Sequence, residues 1–388
     1  MPADLSVAVN GQMSIISLLP LRVQRSRFNH RAGGTDTVSN DPESSGRTTP
    51  ETNLLHDPKW FPEGYDPRRG EFQFAATCRE ALASQPFLDN RWHRNDALHR
   101  SAAVARESLP LEKPRLNFIW HTGFCCSTLL AKALDHPGQN LSLCEPQVLV
   151  EIAHAKRAGA PGSPEVITAS AFSLLSRGFS ANELVTVKPA PAANCLIREA
   201  AALTSGAMLF LYADCRSFLV SVAKLGEEGR KYVRRLFLAI LGDGHEQARW
   251  RPDKILSLSD LELAAIVWHM QIAEMLRHWQ AIGPARAASL DCDAFLADPV
   301  MALRKADAFL SLGIGTQQLS EVAAGPLFQR NAKTAEASYD ANRRREEHSR
   351  VELALGEDLS RIVQESYALC RSTPNRPPLP NPLIAADS

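Results

Sequence analysis

Residues 114–134 hold the densest concentration of residues suited to chemistry in this chain. The run His121-Thr-Gly-Phe-Cys-Cys-Ser-Thr128 is small and rich in hydroxyls. It stands between a short β-prone stretch, Leu116-Asn-Phe-Ile-Trp120, and an apolar helical pattern at Leu129, Leu130, Ala133 and Leu134. Strand, tight turn and helix in that order make a geometry suited to holding an anion. The first N–H groups of a helix have no partner inside it and point at whatever occupies the turn, and the hydroxyls of Ser127 and Thr128 add donors. The same hydroxyls also fit an ordinary helix N-cap, which explains the helix start but not the strand and turn before it. A nucleoside-triphosphate loop of the form G-x-x-x-x-G-K-[ST] is a poor match. Gly123 is followed by Phe-Cys-Cys-Ser-Thr, so both the second glycine and the lysine are missing. A P-loop kinase or NTPase, which would need Mg²⁺ and ATP, is therefore the weaker reading.

The eight cysteines lie at 78, 125, 126, 144, 195, 215, 292 and 370, with no CxxC pair and no disulfide-framework or zinc-ribbon spacing. Several sit inside apolar runs, so they read as buried thiols of a reducing compartment. The vicinal pair Cys125-Cys126 fits two small residues filling a tight turn better than a redox switch. No HExxH and no His/Cys/Asp cluster with ligand spacing is present, and no metal is expected.

The loop needs a framework, and the flanking pattern provides one. Leu184-Val-Thr-Val-Lys188 reads as a second strand followed by a helix over 192–203. Ala207-Met-Leu-Phe-Leu-Tyr212 reads as a third, followed by a helix over 217–241. A long helical pattern covers 261–282, Ala287-Ala-Ser-Leu290 is a fourth strand, and 298–312 a further helix. This alternation predicts an α/β fold with a mostly parallel sheet flanked by helices. Residues 1–58 read as a flexible extension, in which Asp4, Asp36, Asp41 and Glu43 argue against a targeting peptide. Residues 59–112, with Phe72, Phe74, Leu82 and Phe87 between charged residues, are expected to form a helical N-terminal segment. Residues 113–372 make up the α/β domain with its C-terminal helices, and residues 373–388 a proline-rich tail, extended and mobile.

Composition narrows the classes of function. Of 388 residues, 45% are hydrophobic and 22% charged, which suffices for a buried core. Lysine plus arginine equals aspartate plus glutamate at 43 each, so a general nucleic-acid binder is not expected. No apolar run reaches the roughly 18–20 residues of a membrane-crossing helix. A cytoplasmic protein is the expectation, and oligomeric state is not readable.

Four segments, in order over residues 116–312, resemble the PAPS-dependent sulfotransferase family, whose co-substrate is 3′-phosphoadenosine-5′-phosphosulfate. Phe118-Ile-Trp-His-Thr-Gly-Phe-Cys-Cys-Ser-Thr-Leu-Leu-Ala131 resembles the 5′-phosphosulfate loop of bacterial members. Leu143-Cys-Glu-Pro146 resembles the Glu-Pro step that follows the loop helix in several of them. Leu209-Phe-Leu-Tyr-Ala-Asp-Cys-Arg-Ser-Phe-Leu-Val-Ser221 resembles the strand and helix start that bind the 3′-phosphate. Leu290-Asp-Cys-Asp-Ala-Phe-Leu-Ala-Asp-Pro299 through Phe309-Leu310 resembles a strand-to-helix junction of the same family.

The resemblance implies a P-loop-like three-layer α/β sandwich and sulfuryl transfer from PAPS to a hydroxyl or amine of an acceptor that the sequence does not identify. By the same resemblance, Thr122, Gly123, Phe124, Cys125, Cys126, Ser127 and Thr128 would hold the phosphosulfate, and Ser221 with Arg216 the 3′-phosphate. Lys188 takes the place of a lysine that contacts the donor, while the histidine two residues on, a base in cytosolic members, is Ala190 here. Glu145 becomes the candidate base, with His121 and His136 as local alternatives. Lys333 resembles a late lysine that closes over the donor. Three departures stand out. The cation usual in the loop aligns with Phe124, the loop glycine with Cys126, and the arginine of the 3′-phosphate pattern with Ala213. Lys132, Lys188 or Lys333 would have to replace the loop cation. The departures keep open a non-catalytic nucleotide- or anion-binding protein on the same fold.

Overall fold

The computed structural model describes residues 54–92, 97–105, 108, 110, 112–329, 341–370 and 379–384. Lys333 and nearly all of the 1–58 extension lie outside these residues, as does most of the tail. In chain order the elements are β1 (Trp60–Asp66), β2 (Glu71–Ala76), α1 (Arg79–Ser84), β3 (His99–Ala103), β4 (Leu116–His121), α2 (Ser127–Ala133) and β5 (Asn140–Cys144). Next come α3 (Gln147–Arg157), α4 (Pro164–Leu175), β6 (Leu184–Lys188), α5 (Ile197–Leu203), β7 (Met208–Tyr212), α6 (Cys215–Lys224) and α7 (Gly226–Ile240). The remainder are α8 (Pro252–Leu256), α9 (Asp260–Ile282), β8 (Ala287–Asp291), α10 (Cys292–Ala297), α11 (Pro299–Leu310), α12 (Thr316–Ala324), α13 (Ala341–Leu355) and α14 (Glu357–Leu369).

The main sheet has five strands in the order β5-β6-β4-β7-β8, every pair parallel. Parallel strands covered on both faces must be apolar on both, and β4 and β7 are buried at every position. Successive side chains leave a strand on opposite faces. Phe118 and Trp120 of β4 therefore stack on each other at 5.1 Å and enter one core with Phe172, Phe210 and Trp268. Ile119 enters the other, with Leu130, Leu209, Leu211, Leu303 and Phe295. Helix, sheet and helix make the three layers of an α/β sandwich, as the alternation of strands and helices predicts.

Four local expectations are corrected. The described residues of 59–112, expected to be helical, form an antiparallel sheet β1-β2-β3 with the short α1 beside it. The reason lies in the period: Glu71-Phe-Gln-Phe-Ala alternates every second residue, and Phe72 and Phe74 are buried while Gln73 is exposed. A fifth strand, β5, was not anticipated because Asn140 and Ser142 interrupt its apolar pattern. Both are buried and satisfied, Asn140 accepting from Thr186 Oγ1 at 2.8 Å and donating to the Leu134 carbonyl at 2.7 Å. The helix expected over 217–241 is two helices, α6 and α7, parted at Gly226, whose φ of +55° suits glycine. They pack so closely that a Cβ on Gly229 would lie 2.2 Å from the Val222 carbonyl oxygen. Residues 379–384 of the tail are extended but held, with Ser289 of β8 donating to the Asn381 carbonyl at 3.0 Å and Leu383 donating back to the Ser289 carbonyl at 2.8 Å.

α9 carries His269, buried with Nε2 2.9 Å from Ser366 Oγ of α14 and its ring edge-on to Tyr367 at 4.7 Å. Burial pushes its pKa down from 6.5 to about 4. The unfolded chain therefore binds a proton that the folded chain refuses in this interval. Stability is indifferent to His269 above pH 6.5 and is lost as pH falls from there toward 4. On going from pH 7 to pH 4.5, wild-type protein should lose about 2 kcal/mol more stability than His269→Gln, measured by urea denaturation at both values.

Candidate active site

The carboxyl ends of all five parallel strands lie on one edge of the sheet. The chain leaves central β4 toward β5 and later crosses to β7 on the other side, so the strand order reverses beside β4. Crevices at such switch points are where open α/β sheets take ligands. The residues at this edge are the His121–Thr128 loop after β4, Glu145 after β5 and Lys188 at the end of β6.

The loop is a strained turn. Gly123, Phe124 and Cys126 have φ of +81°, +54° and +59°, a left-handed region that costs side-chain-bearing residues energy unless packing over-determines it. Here it does. The Phe124 ring lies edge-on to Phe218 at 5.5 Å and to Tyr232 at 5.1 Å. Cys125 is fully buried with Sγ 3.5 Å from the Leu211 carbonyl, and the Gly123 N–H donates to His121 Nδ1 at 3.0 Å. Burial pushes the Cys125 thiol up to about 11, which suits a packing residue and not a nucleophile. The N-cap of α2 is Cys126, with no side-chain cap bond. Ser127 and Thr128 thus occupy the first turn without capping the helix, and their N–H groups open toward the loop.

Lys188 is the most unusual side chain of the site. It is fully buried, and its Nζ lies 2.5 Å from Glu145 Oε1. Glu145 continues the β5–β6 ladder by donating its N–H to the Lys188 carbonyl at 2.6 Å, then turns with φ of +54°. His121 Nε2 stands 3.9 Å from the same Oε1. The Phe87 ring covers Lys188 at 5.6 Å from Nζ, with Arg91 stacked on that ring at 3.8 Å. One buried cation, one carboxylate and one imidazole therefore meet beside the loop. A carboxylate so placed can accept a proton, and the lysine can donate to a developing anion.

Other expected residues lie elsewhere. Arg216 and Ser221 are on α6, beneath the C-terminal helices. Arg216 pairs with Glu352 at 2.9 Å and donates to Ser360 Oγ at 3.1 Å, and Ser221 Oγ is 3.4 Å from His348 Nε2. Lys224 on the same helix pairs with Glu347 at 2.6 Å. Lys132 donates to the Ala83 carbonyl, and His136 lies 3.2 Å from the Ala133 carbonyl. Lys333 lies outside the described residues.

Two residues at the loop carried no signal in the sequence. Tyr232 of α7 places its Oη 3.2 Å from where a Cβ on Gly123 would stand. Arg344 of α13 bonds Asp293 Oδ1 at 3.0 Å and Cys292 Sγ at 3.7 Å. Burial works against its charge, but Cys126, Cys292 and Asp293 hold its pKa above the ordinary value. Each comes from more than 100 residues away along the chain, so no spacing reveals it.

No family model matches the chain, and no curated protein does. Two structural neighbours are sulfotransferases. A sulfotransferase domain from the curacin biosynthetic pathway is 16% identical, with 65% of this chain and 97% of that one covered and a TM-score of 0.38. A sulfotransferase from Alicyclobacillus acidocaldarius is 13% identical, with 67% of this chain and 97% of that one covered and a TM-score of 0.34. Among the described residues no group of three or more His, Cys, Asp or Glu side chains is arranged to hold a metal ion, and no helix is long and apolar enough to cross a membrane.

The buried pair makes a direct prediction. Lys188→Met leaves Glu145 charged and unpaired and should cost about 3–5 kcal/mol at pH 7. Adding Glu145→Gln should recover most of that loss, a coupling that chemical denaturation of the two singles and the double reads as a double-mutant cycle.

Proposed function

We propose that the protein transfers a sulfuryl group from 3′-phosphoadenosine-5′-phosphosulfate to a hydroxyl or amine of a small-molecule acceptor. The observation that carries this reading is the buried Glu145–Lys188 pair beside the strained loop at the switch point of a parallel sheet. In-line transfer of this kind asks a protein mainly to position two reactants and to hold charge on the leaving group. The acceptor oxygen or nitrogen attacks sulfur, the bond from sulfur to the bridging oxygen breaks, and that oxygen leaves with the electron pair on 3′-phosphoadenosine-5′-phosphate. In the ground state Lys188 and Glu145 neutralise one another. As negative charge grows on the bridging oxygen, Lys188 shifts its hydrogen bond toward it, and Glu145 takes the proton released by the acceptor. His121, with Nδ1 already accepting from Gly123, directs Nε2 toward Glu145 and holds the carboxylate side of the exchange.

In this reading Thr122 through Thr128 cradle the phosphosulfate through backbone N–H groups and the hydroxyls of Ser127 and Thr128, while the Phe124 side chain is structural. Arg344 beside Cys126 stands where a cation can compensate for the phenylalanine. Arg216 and Ser221 remain candidates for the 3′-phosphate, with α13 displaced from them. A second reading, nucleotide or anion binding without turnover, is favoured by their present engagement with Glu352 and His348.

Titration calorimetry with 3′-phosphoadenosine-5′-phosphate, with ATP as control, tests the nucleotide site without knowledge of the acceptor. Micromolar binding of the product and none of ATP is expected. Glu145→Gln should retain that binding while the slow release of sulfate from PAPS to water falls about 10²–10⁴-fold. Binding by the wild-type protein with release no faster than that of PAPS in buffer establishes the non-catalytic reading, and absence of binding by folded protein rejects both.

A further inference from the structure

We propose that the Tyr232 hydroxyl is a hydrogen-bond donor to the transferring sulfuryl group, an assignment that rests on the sulfuryl-transfer reading above. Its position carries the proposal. Tyr232 comes from α7, outside every segment in which the sequence resembles a nucleotide-binding motif, and its ring closes the loop by packing edge-on against Phe124 at 5.1 Å. The hydroxyl overhangs Gly123, 3.2 Å from the site a Cβ would take, with Pro191 Cγ 3.7 Å from the same point. The φ of +81° favours glycine at this position, and a Cβ there would also press on the hydroxyl, which would have to give by a few tenths of an ångström. Tyr232 is half-buried, and among the described residues its hydroxyl makes no hydrogen bond to the protein, so it is open to a ligand or to water.

The groups facing it define what it can do. Glu145, Cys125 and Arg91 are its charged or titratable neighbours. Burial first, then the Glu145 carboxylate and Cys125, push its pKa upward, so the phenol stays protonated and serves as a donor and not as a base. A group held in the loop and attacked by an acceptor that loses its proton to Glu145 must pass between Gly123 and Glu145. The Tyr232 hydroxyl stands on the Gly123 side of that interval and feels the charge of the Glu145 carboxylate. Its vacant donor matches a sulfuryl oxygen, which the donor nucleotide carries and the desulfated product lacks. The hydroxyl would thus supply, as a neutral dipole, part of the stabilisation that a loop cation gives where the chain has Phe124 instead.

Tyr232→Phe separates this role from packing, because the ring and its contact with Phe124 remain. Thermal melting should move by no more than about 2 °C. Affinity for 3′-phosphoadenosine-5′-phosphate, by calorimetry, should stay within about twofold of wild type. Affinity for intact PAPS, by competition against the product, should fall about tenfold, as expected for a lost hydrogen bond to a charged group. Release of sulfate from PAPS to water should fall by at least the same factor. Equal weakening of both nucleotides would show that Tyr232 only supports the loop, and unchanged PAPS affinity would show that it does not touch the sulfuryl group. Either result overturns the assignment. A folded wild-type protein that binds neither nucleotide overturns the sulfuryl-transfer reading itself, and this outcome is distinct because it appears before any variant is compared.

Discussion

A lysine with no exposed surface can exist as an ammonium ion only if something replaces the water it lost. Lys188 ends a strand that is buried on both faces, so the replacement has to come from the neighbouring strand end. It comes from Glu145, at 2.5 Å. Much of the local architecture follows from this pairing. β5 and β6 must run parallel and in register, with Cys144 opposite Lys188, and the chain must turn at Glu145 through a left-handed backbone for the carboxylate to reach back. The segment carrying Phe87 and Arg91 then closes over the pair, anchored by Leu88 donating to the Cys144 carbonyl at 2.7 Å. A buried pair of this kind is a poor source of stability compared with apolar packing of the same volume.

The loop shows the same economy. Three of the four residues from Gly123 to Cys126 have positive φ, and only one of them is glycine. The strain is held by an aromatic cluster formed from the loop itself, α6 and α7, namely Phe124, Phe218 and Tyr232. Phe124 thus serves packing in this loop. The positive charge near the loop comes from elsewhere, from Lys188 on one side and Arg344 on the other. The field at the loop depends on where charges sit in space and not on their place in the chain.

The C-terminal helices give the α6 face a double character. Arg216 and Lys224 are matched by Glu352 and Glu347, and Ser221 faces His348, so α13 satisfies the polar groups of this face with its own side chains. His348 has its pKa pushed down to about 4 by burial and by the nearby Arg344 and Lys224. A neutral imidazole in that place avoids adding a further positive charge between those two cations.

The amino-acid sequence by itself determined the class of fold and the place of the loop. Both are written in local patterns: apolar runs of strand length, helical periodicity, and a small-residue turn between them. It also indicated Lys188 and Glu145 as candidates, through the strand end and the Glu-Pro step. It misjudged residues 59–112, where a period of two at Phe72 and Phe74 was lost among charged neighbours, and it passed over β5, whose Asn140 and Ser142 look unfit for a core until their partners are known. Tertiary structure alone decided that Lys188 and Glu145, 43 residues apart, form one ion pair, that Arg216 and Ser221 lie under α13, and that Tyr232 overhangs Gly123. The physical reason is the range of the forces involved. Secondary structure answers to neighbours within a few residues, whereas a buried charge or hydroxyl answers to whatever the packed chain brings within about 4 Å, and sequence spacing carries no record of that.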